Sequence, residues 1–200
     1  MIANSPQPQS AMPSDIFLCP PHKLPDNVHH LGKVDVTAIK KLLAQKTPEN
    51  WRENEMRQKQ FLVHRDTESI VLKWSENGSS QSPVETAQYF YEFEPLLQPI
   101  FDLIQNEYRY DRPVWRKIMF AKLKAHGEIT PHVDTAIALR FVHRIHIPIV
   151  TNEQVHFFIN GVDYSLHAGE VVSVDNTRMH SVQNLGEEDR IHLIVDYYHL

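Results

Sequence analysis

The second half of the chain, from Pro113 onwards, alternates apolar and polar residues with a period of two and is divided by turn residues. Because a β-strand places successive side chains on opposite faces, this period predicts half-buried strands. The dipeptide Asn160-Gly161 between two such runs is typical of a tight β-hairpin. Many short strands joined by turns indicate a sandwich or a barrel. We therefore predict a mainly β protein with a double-stranded β-helix, also called a jelly roll or cupin-like fold, and flanking helices. The predicted strands cover residues 118–123, 140–150, 155–159, 162–166, 171–174 and 190–198.

The first half of the chain is less regular and carries helix patterns. Apolar residues at helical spacing predict one helix from Asp35 to Ala44 and another from Glu94 to Tyr108, with Pro95 in its first turn. A short helix or turn is expected from Thr47, which would place Trp51 against the core. Further strands are predicted at residues 61–64 and 69–74, and a loop is predicted at residues 77–83.

The chain is expected to form one domain preceded by an arm. Residues 1–25 are rich in Pro, Gln and Ser, which favours a flexible or extended segment, although residues 16–18 could add an edge strand. The remaining length suits a single domain with a substantial core. We assign residues 26–200 to one jelly-roll domain and place its core at residues 114–200.

Composition argues against several classes of partner. The chain has 20 basic and 25 acidic residues, a net charge of −5 and no block of lysine or arginine, so neither nucleic acid nor a membrane is expected as a partner. A single cysteine, Cys19, excludes an intramolecular disulfide and suggests reducing surroundings. The chain start lacks the pattern of a signal peptide, and no segment is apolar enough to cross a bilayer. We expect a soluble cytoplasmic protein.

The triplet His132-Val133-Asp134 and the distant His180 provide a candidate metal site. In extended backbone, residues two apart lie on the same face, so His132 and Asp134 can converge on one point. His180 follows a series of strand patterns and can arrive from a neighbouring strand. Two imidazoles and one carboxylate, with open coordination positions, are the ligand set of non-haem Fe(II) oxygenases. These three residues are the predicted iron ligands.

Arg190 stands at the start of the apolar run Ile191–Val195 and is expected to be buried. A buried guanidinium needs an anion, because an unpaired charge away from water is costly, and its planar fork suits a carboxylate. 2-Oxoglutarate carries such a carboxylate at its far end. Arg190 is therefore the predicted partner of that group.

The segment from Thr130 to Tyr198 resembles the aspartyl/asparaginyl β-hydroxylase family, and in particular its bacterial branch of free amino acid hydroxylases such as the proline cis-4-hydroxylases. The motifs that carry the resemblance are Pro131-His132-Val133-Asp134, Arg144-Ile145-His146-Ile147-Pro148, Gly169-Glu170, Asp175-Asn176, His180-Ser181-Val182 and Arg190-Ile191-His192-Leu193-Ile194-Val195-Asp196. The resemblance implies a jelly-roll oxygenase that depends on Fe(II) and 2-oxoglutarate. It also implies the iron and 2-oxoglutarate roles given above, and it places Arg144 and His146 near the co-substrate.

Two positions depart from the vertebrate members of the family. Those proteins lack the carboxylate ligand, which is present here as Asp134, and they have a serine beside the distal carboxylate where this chain has Ala121. The implied reaction uses dioxygen to hydroxylate an amino acid, a peptidyl Asp/Asn-type side chain or a related small metabolite, and it forms succinate and CO2.

Other interpretations stay open at this point. Arg144 could pair with a neighbouring acid, and His146 and His192 could be core histidines. Lys122 is expected to be solvated. The whole chain could be a cupin-type metal-binding or ligand-binding protein, or a non-oxidative metal-dependent enzyme on the same fold. Arginines that point into the barrel favour the oxygenase, because a protein that binds only a metal does not need them.

Overall fold

The computed structural model describes residues 24–54, 62–75 and 82–200. Most of the predicted arm, the possible strand at residues 16–18 and residues 77–81 of the predicted loop lie outside these ranges. Within them the chain forms eleven β-strands. The strands are β1 (Val28–Lys33), β2 (Thr67–Trp74), β3 (Glu85–Thr86), β4 (Pro113–Leu123), β5 (Glu128–His132), β6 (His143–Val150), β7 (Val155–Ile159), β8 (Val162–Tyr164), β9 (Glu170–Val174), β10 (His180–Asn184) and β11 (Arg190–His199).

These strands build two antiparallel sheets. The larger sheet has the order β1-β9-β6-β11-β4-β2-β3, and the smaller has the order β5-β10-β7-β8. Apolar residues of both sheets pack together in one cluster, which includes Val172 of β9 and Phe157 of β7. Because apolar side chains of each sheet are thereby removed from water, this contact joins the sheets. The predicted mainly β jelly roll is confirmed.

Helices cover the other face of the larger sheet. They are α1 (Thr37–Leu43), α2 (Pro48–Arg52) and α3 (Gln88–Tyr108), with short 3-10 helices at Leu62–His64 and Ile137–Arg140. On β6, Ile145, Ile147 and Ile149 belong to the cluster that contains the helix residues. The alternate residues Arg144 and His146 line a cavity on the opposite face. The period of two thus separates an apolar, helix-covered face from a polar, cavity-lining face.

The predicted start of α3 at Glu94 is wrong, because the helix begins at Gln88 and contains Pro95 and Pro99 in its interior. Each proline removes one backbone hydrogen bond, which normally marks a helix start. Both prolines are exposed and lie four residues apart, on the same face of the helix. Water can therefore reach the carbonyl groups that lose their partners, and the helix continues.

Two strand predictions are also corrected. Residues 62–64 form a 3-10 helix instead of a strand, and the Thr67 hydroxyl donates a hydrogen bond to the His64 carbonyl, which closes the turn. A short apolar run does not distinguish a strand from a helical turn by its period. Similarly, β6 begins at His143, and Arg140 belongs to the preceding 3-10 helix, in which the N–H of Leu139 donates to the Ala136 carbonyl.

Other local predictions are confirmed. The first helix forms, Trp51 is buried, and residues 47–50 open α2 with Pro48 as its first residue. Asn160 and Gly161 join β7 to β8 with φ of 51° and 79°, the positive values that a tight hairpin turn requires. In the ranges that the structure describes, no helix combines the length and the apolar character needed to cross a bilayer.

Candidate metal centre and co-substrate pocket

The cavity has a volume of about 320 Å³ and is lined by residues of both sheets. All six residues that the sequence singles out for the site contribute to its wall. They are His132, Asp134, Arg144, His146, His180 and Arg190. Residues from β4, β5, β6, β10 and β11 and their loops therefore meet in one place. The sequence predicts from the strand period that His132, Asp134 and His180 can converge, and the family resemblance implies that Arg144 and His146 lie near them.

Strand pairing brings the two histidines of the candidate metal site together. His132 ends β5, His180 begins β10, and the antiparallel register makes them direct partners. Their ring centroids are 4.3 Å apart. Asp134 follows two residues after His132, and the three potential ligand atoms lie within 4.8 Å of one another. This spacing allows one metal ion to contact all three side chains.

Hydrogen bonds orient both imidazoles for metal binding. His132 Nδ1 lies 2.8 Å from the Thr130 carbonyl oxygen, and His180 Nδ1 lies 2.9 Å from the Arg178 carbonyl oxygen. A carbonyl can only accept, so each Nδ1 carries the proton and each Nε2 keeps its lone pair. Burial lowers the pKa of His180 below its ordinary value, which favours the neutral form that binds metals.

Asp134 lies just beyond β5 and is held by the loop that follows β9. Its N–H donates to the Asn176 carbonyl at 3.3 Å. Its Oδ2 accepts hydrogen bonds from Arg144 Nη1 and from Asn176 Nδ2, the latter at 3.1 Å. Burial alone would raise the pKa of Asp134, but Arg144, His180 and Asn176 outweigh it and lower the pKa. The carboxylate is thus ionised, and Oδ1 is available as a ligand atom.

Arg190 is the side chain that most clearly requires an external partner. It is 2% exposed and lines the cavity, and its Nη2 donates to His192 Nδ1 at 2.6 Å. Its Nε has no hydrogen-bond partner among the described residues. Burial lowers the pKa of Arg190 to about 9, so the guanidinium is still charged at neutral pH. A carboxylate in the cavity would supply the missing acceptor and the opposite charge.

Two neutral histidines and Ala121 surround Arg190. His146 Nδ1 and His192 Nδ1 are 3.4 Å apart, and burial, together with the charge of Arg190, lowers the pKa of both well below the ordinary value. Ala121, whose side chain cannot form a hydrogen bond, pairs with His192 across β4 and β11 and also lines the cavity. A ligand carboxylate at this end would therefore meet Arg190 as its main charged partner.

Arg144 is engaged with acids, as the alternative interpretation expects. Its Nε and Nη2 donate to the two oxygens of Asp196, each at 2.8 Å, and its Nη1 donates to Asp134. Burial would raise the pKa of Asp196, but Arg144, Lys117 and Arg116 hold it far below the ordinary value. Arg144 nevertheless lines the cavity. The ion pair of the alternative interpretation is therefore present, and the predicted position of Arg144 near the co-substrate stays a prediction.

Sequence reasoning missed two participants. Asn176 and Asp196 hold Asp134 and Arg144, but only the three-dimensional register brings them there. The available signal for Asp196 was its position on the same face of β11 as Arg190 and His192. The expectation that Lys122 is solvated is wrong, because its Nζ lies 2.6 Å from Glu68 and over the ring of Trp51, with the side chain 13% exposed.

The fold and the donor set together define a class of protein. A jelly roll with two histidines and one carboxylate at one cavity has the arrangement of non-haem Fe(II) oxygenases that keep open coordination positions. The sequence profile of the family described as Aspartyl/Asparaginyl beta-hydroxylase matches residues 37–200. The chain belongs to this family and is a 2-oxoglutarate-dependent non-haem iron oxygenase. No curated protein matches the chain significantly.

Solved structures support the fold. A 2OG-Fe(II) oxygenase family oxidoreductase from Burkholderia pseudomallei is 13% identical, with a TM-score of 0.58 over 82% of this chain and 77% of that one. A viral collagen prolyl hydroxylase from Paramecium Bursaria Chlorella virus-1 is 8% identical, with a TM-score of 0.54 over 88% of this chain and 98% of that one. A Pseudomonas putida prolyl-4-hydroxylase is 12% identical, with a TM-score of 0.54 over 86% and 92%. At these identities the likeness concerns the fold.

Proposed function

We propose that His132, Asp134 and His180 bind Fe(II) and that Arg190 binds the distal carboxylate of 2-oxoglutarate. One observation carries this proposal. Two imidazoles with free Nε2 atoms and one carboxylate converge within 4.8 Å in the same cavity as a buried guanidinium whose Nε has no partner among the described residues. Three protein ligands leave room for a chelating co-substrate and dioxygen on an octahedral metal.

We further propose that the enzyme hydroxylates a C–H bond of its substrate. The bound iron and 2-oxoglutarate supply the oxidising chemistry, in which dioxygen converts the co-substrate to succinate and CO2 and adds one oxygen atom to the substrate. The chain orients the ligands through the Thr130 and Arg178 carbonyls and places the co-substrate through Arg190. His146 lines the cavity near Arg190 as a neutral side chain, and we propose that it contacts the co-substrate.

The substrate is proposed to be an amino acid, a peptidyl Asp/Asn-type side chain or a related small metabolite. The cavity volume of about 320 Å³ is at the lower end of the roughly 300–1,000 Å³ that ligand pockets span. The co-substrate occupies part of that space. What is left suits one small molecule or one side chain. Trp74, Leu139 and Ile194 give the wall apolar surface that can pack against the C–H bonds of such a substrate.

A co-substrate turnover screen tests this function. The protein is incubated aerobically with Fe(II), 2-oxoglutarate and a panel of free amino acids and short Asp- or Asn-containing peptides. Succinate and the mass of each candidate substrate are measured. We expect succinate in amounts that match the gain of one oxygen atom by one class of compound.

Three controls accompany the screen: omission of Fe(II), omission of 2-oxoglutarate and exclusion of dioxygen. Each should abolish both products. A panel in which substrate is converted without any dependence on 2-oxoglutarate would contradict the proposed reaction.

A further inference from the structure

We propose that Asp196 is a positioning residue for the metal site, which it controls through Arg144. This inference rests on the proposed assignment of Asp134 as an iron ligand. Asp196 is fully buried on β11, and it does not contact any of the three proposed ligands. Its effect on the metal would therefore pass through Arg144, which donates to both carboxylates.

The geometry of Arg144 links the two carboxylates. In the antiparallel register, Arg144 of β6 is the direct partner of Asp196 of β11. Nε and Nη2 each donate to one oxygen of Asp196 at 2.8 Å, which is the paired, planar geometry that fixes a guanidinium most firmly. The remaining nitrogen, Nη1, then points at Asp134 Oδ2. Asp196 thus determines where Arg144 meets Asp134.

The charges give Asp196 a second effect on the metal. An Arg144 side chain without Asp196 would have Asp134 as its only carboxylate partner among the described residues, and it would compete with a cation for that ligand. With Asp196 in place, two of the three guanidinium nitrogens of Arg144 are engaged with a second carboxylate, so Arg144 is shared between Asp196 and Asp134. Lys117 also approaches Asp196, with Nζ 3.5 Å from Oδ2, and Arg116 interacts with it electrostatically. Asp196 is therefore the anion around which several cations are arranged.

This arrangement determines which carboxylate oxygen of Asp134 is available to a metal ion. Arg144 and Asn176 both donate to Oδ2, so the second oxygen, Oδ1, is left for the metal. A guanidinium released from Asp196 could turn and form a paired contact with both oxygens of Asp134. Such a contact would remove the ligand atom from the site. We therefore expect metal affinity to depend on Asp196 only as long as Arg144 is present.

A double-mutant cycle tests this dependence. Asp196→Asn, Arg144→Gln and the double variant are compared with the parent protein by titration with Co(II) alone, followed by visible absorption under anaerobic conditions. In the parent background, Asp196→Asn should weaken Co(II) binding by about 10-fold, the lower end of the range for loss of a direct partner of a metal ligand, because Asp196 acts one contact further out. In the Arg144→Gln background, the same substitution should change the affinity by less than about threefold. Equal losses in both backgrounds, or no loss in the parent, would overturn the proposal.

Glu68→Gln is the matched control. Glu68 is a largely buried acid of the same sheet that pairs with Lys122, and it touches neither Arg144 nor Asp134. Its substitution should leave Co(II) affinity unchanged in both backgrounds. If the role of Asp196 is merely structural, Asp196→Asn and Glu68→Gln should each weaken Co(II) binding only in proportion to the fraction of protein that is unfolded. Circular dichroism of the same samples measures that fraction.

Two further arms keep the outcome decisive. Should Asp196→Asn fail to fold alone, the cycle is run with Asp196→Glu, whose longer side chain keeps the charge but displaces both hydrogen bonds. A few-fold loss of Co(II) affinity that disappears with Arg144→Gln supports the proposal, and an equal loss in both backgrounds overturns it.

His180→Ala distinguishes failure of the proposed ligand set from failure of the proposed role of Asp196. If this variant binds Co(II) as the parent does, the proposed ligand set fails, whereas a normal effect of His180→Ala with no effect of Asp196→Asn removes only the role of Asp196.

Discussion

The two ends of the cavity differ in how completely their polar groups are satisfied. At the metal end, the Nδ1 atoms of His132 and His180, and Oδ2 of Asp134, all have hydrogen-bond partners from the protein. At the inner end, Arg190 Nε and His192 Nε2 are buried, and neither has a partner within the described ranges of the chain. Buried polar groups are normally satisfied, so the exceptions need an explanation.

The two ends of the cavity are therefore prepared for their ligands in different ways. The metal end is fully organised by the protein, which leaves only the lone pairs that a cation would use. At the inner end, the positive charge of Arg190 has no anionic partner in the part of the chain that the structure describes, which suits the binding of a negatively charged ligand. The protein alone thus fixes the geometry at one end, and the proposed dicarboxylate would complete it at the other. Each prediction below tests one side of this comparison.

The largest effect is expected at the metal end from His180→Ala. Removing a proposed ligand should abolish turnover and should weaken Co(II) binding by more than the roughly 10–100-fold that loss of an outer partner costs. Turnover is measured by succinate formation and metal binding by titration. His156→Ala, which removes a partly exposed histidine paired with Asp163 on the same sheet, is the control and should change neither. If His180→Ala retained a turnover close to that of the parent, His180 would not be a metal ligand and the proposed metal end would be wrong.

A smaller but still large effect is expected on stability from Asp196→Asn. This change breaks a buried ion pair with Arg144 and should reduce the free energy of unfolding at pH 7 by about 3–5 kcal/mol. The folded state depresses the pKa of Asp196, so its stabilising contribution is fully present above the unfolded value of about 3.9. It is lost progressively as the pH falls below that value towards the folded pKa.

Urea unfolding of the metal-free proteins at several pH values checks this dependence. The difference between the parent and Asp196→Asn should be largest at pH 5–7 and should shrink as the pH falls below about 4. The unfolded parent then binds a proton at Asp196 that the folded parent does not bind, which favours unfolding. A difference that stays constant down to pH 2 would show that the charge of Asp196 does not stabilise the fold.

At the inner end, Arg190→Met should have opposite effects on function and on stability. Loss of a charged hydrogen-bond partner costs on the order of 2–5 kcal/mol, so the KM for 2-oxoglutarate should rise by at least about 30-fold. In the absence of co-substrate the variant should be more stable than the parent, because a buried and uncompensated charge has been removed. Kinetics and thermal unfolding, each with and without 2-oxoglutarate, measure both effects.

Arg52→Met is the control for Arg190→Met, because Arg52 lies at the end of α2 with more than half of its side chain exposed, and it should change neither quantity. A co-substrate-free Arg190→Met protein that is less stable than the parent would mean that Arg190 is already compensated. In that case the inner end would resemble the metal end, and the comparison would fail.

Sequence was sufficient where a regular period or a turn dipeptide determines the structure. On β11, Leu193 and Val195 face the helix-covered cluster, whereas Arg190 lines the cavity, as the period of two requires. The turn at Asn160-Gly161 follows from its positive φ values. Spacing also sufficed for the convergence of His132, Asp134 and His180, since extended backbone and strand pairing leave little freedom. Their roles as ligands stay a prediction until metal binding is measured.

The remainder depends on contacts between distant parts of the chain. The run at residues 61–64, three apolar residues followed by His64, does not reveal whether it pairs with a strand. Pro95 suggests a helix start, and its tolerance inside α3 depends on a solvent exposure that the sequence does not show. In the site, the partners of Arg144 depend on the register between β6 and β11, which no local pattern encodes. A one-residue shift of that register would place Asp196 on the opposite face.

The smallest effect is expected from Asn176→Ala, which tests how much of the metal end depends on a neutral hydrogen bond. Asn176 is buried, and its Nδ2 donates to Asp134 Oδ2 at 3.1 Å and to the Leu139 carbonyl at 3.0 Å. Its loss should cost about 1–3 kcal/mol of stability and should weaken Co(II) binding by up to about tenfold, because Arg144 still holds the same carboxylate oxygen. Asn152→Ala removes an amide that is hydrogen-bonded to Asn184 and should lower stability without changing Co(II) affinity. If both variants changed Co(II) affinity equally, the loss would reflect general loosening of the fold, and the hydrogen bond from Asn176 would not be part of what prepares Asp134 for a metal.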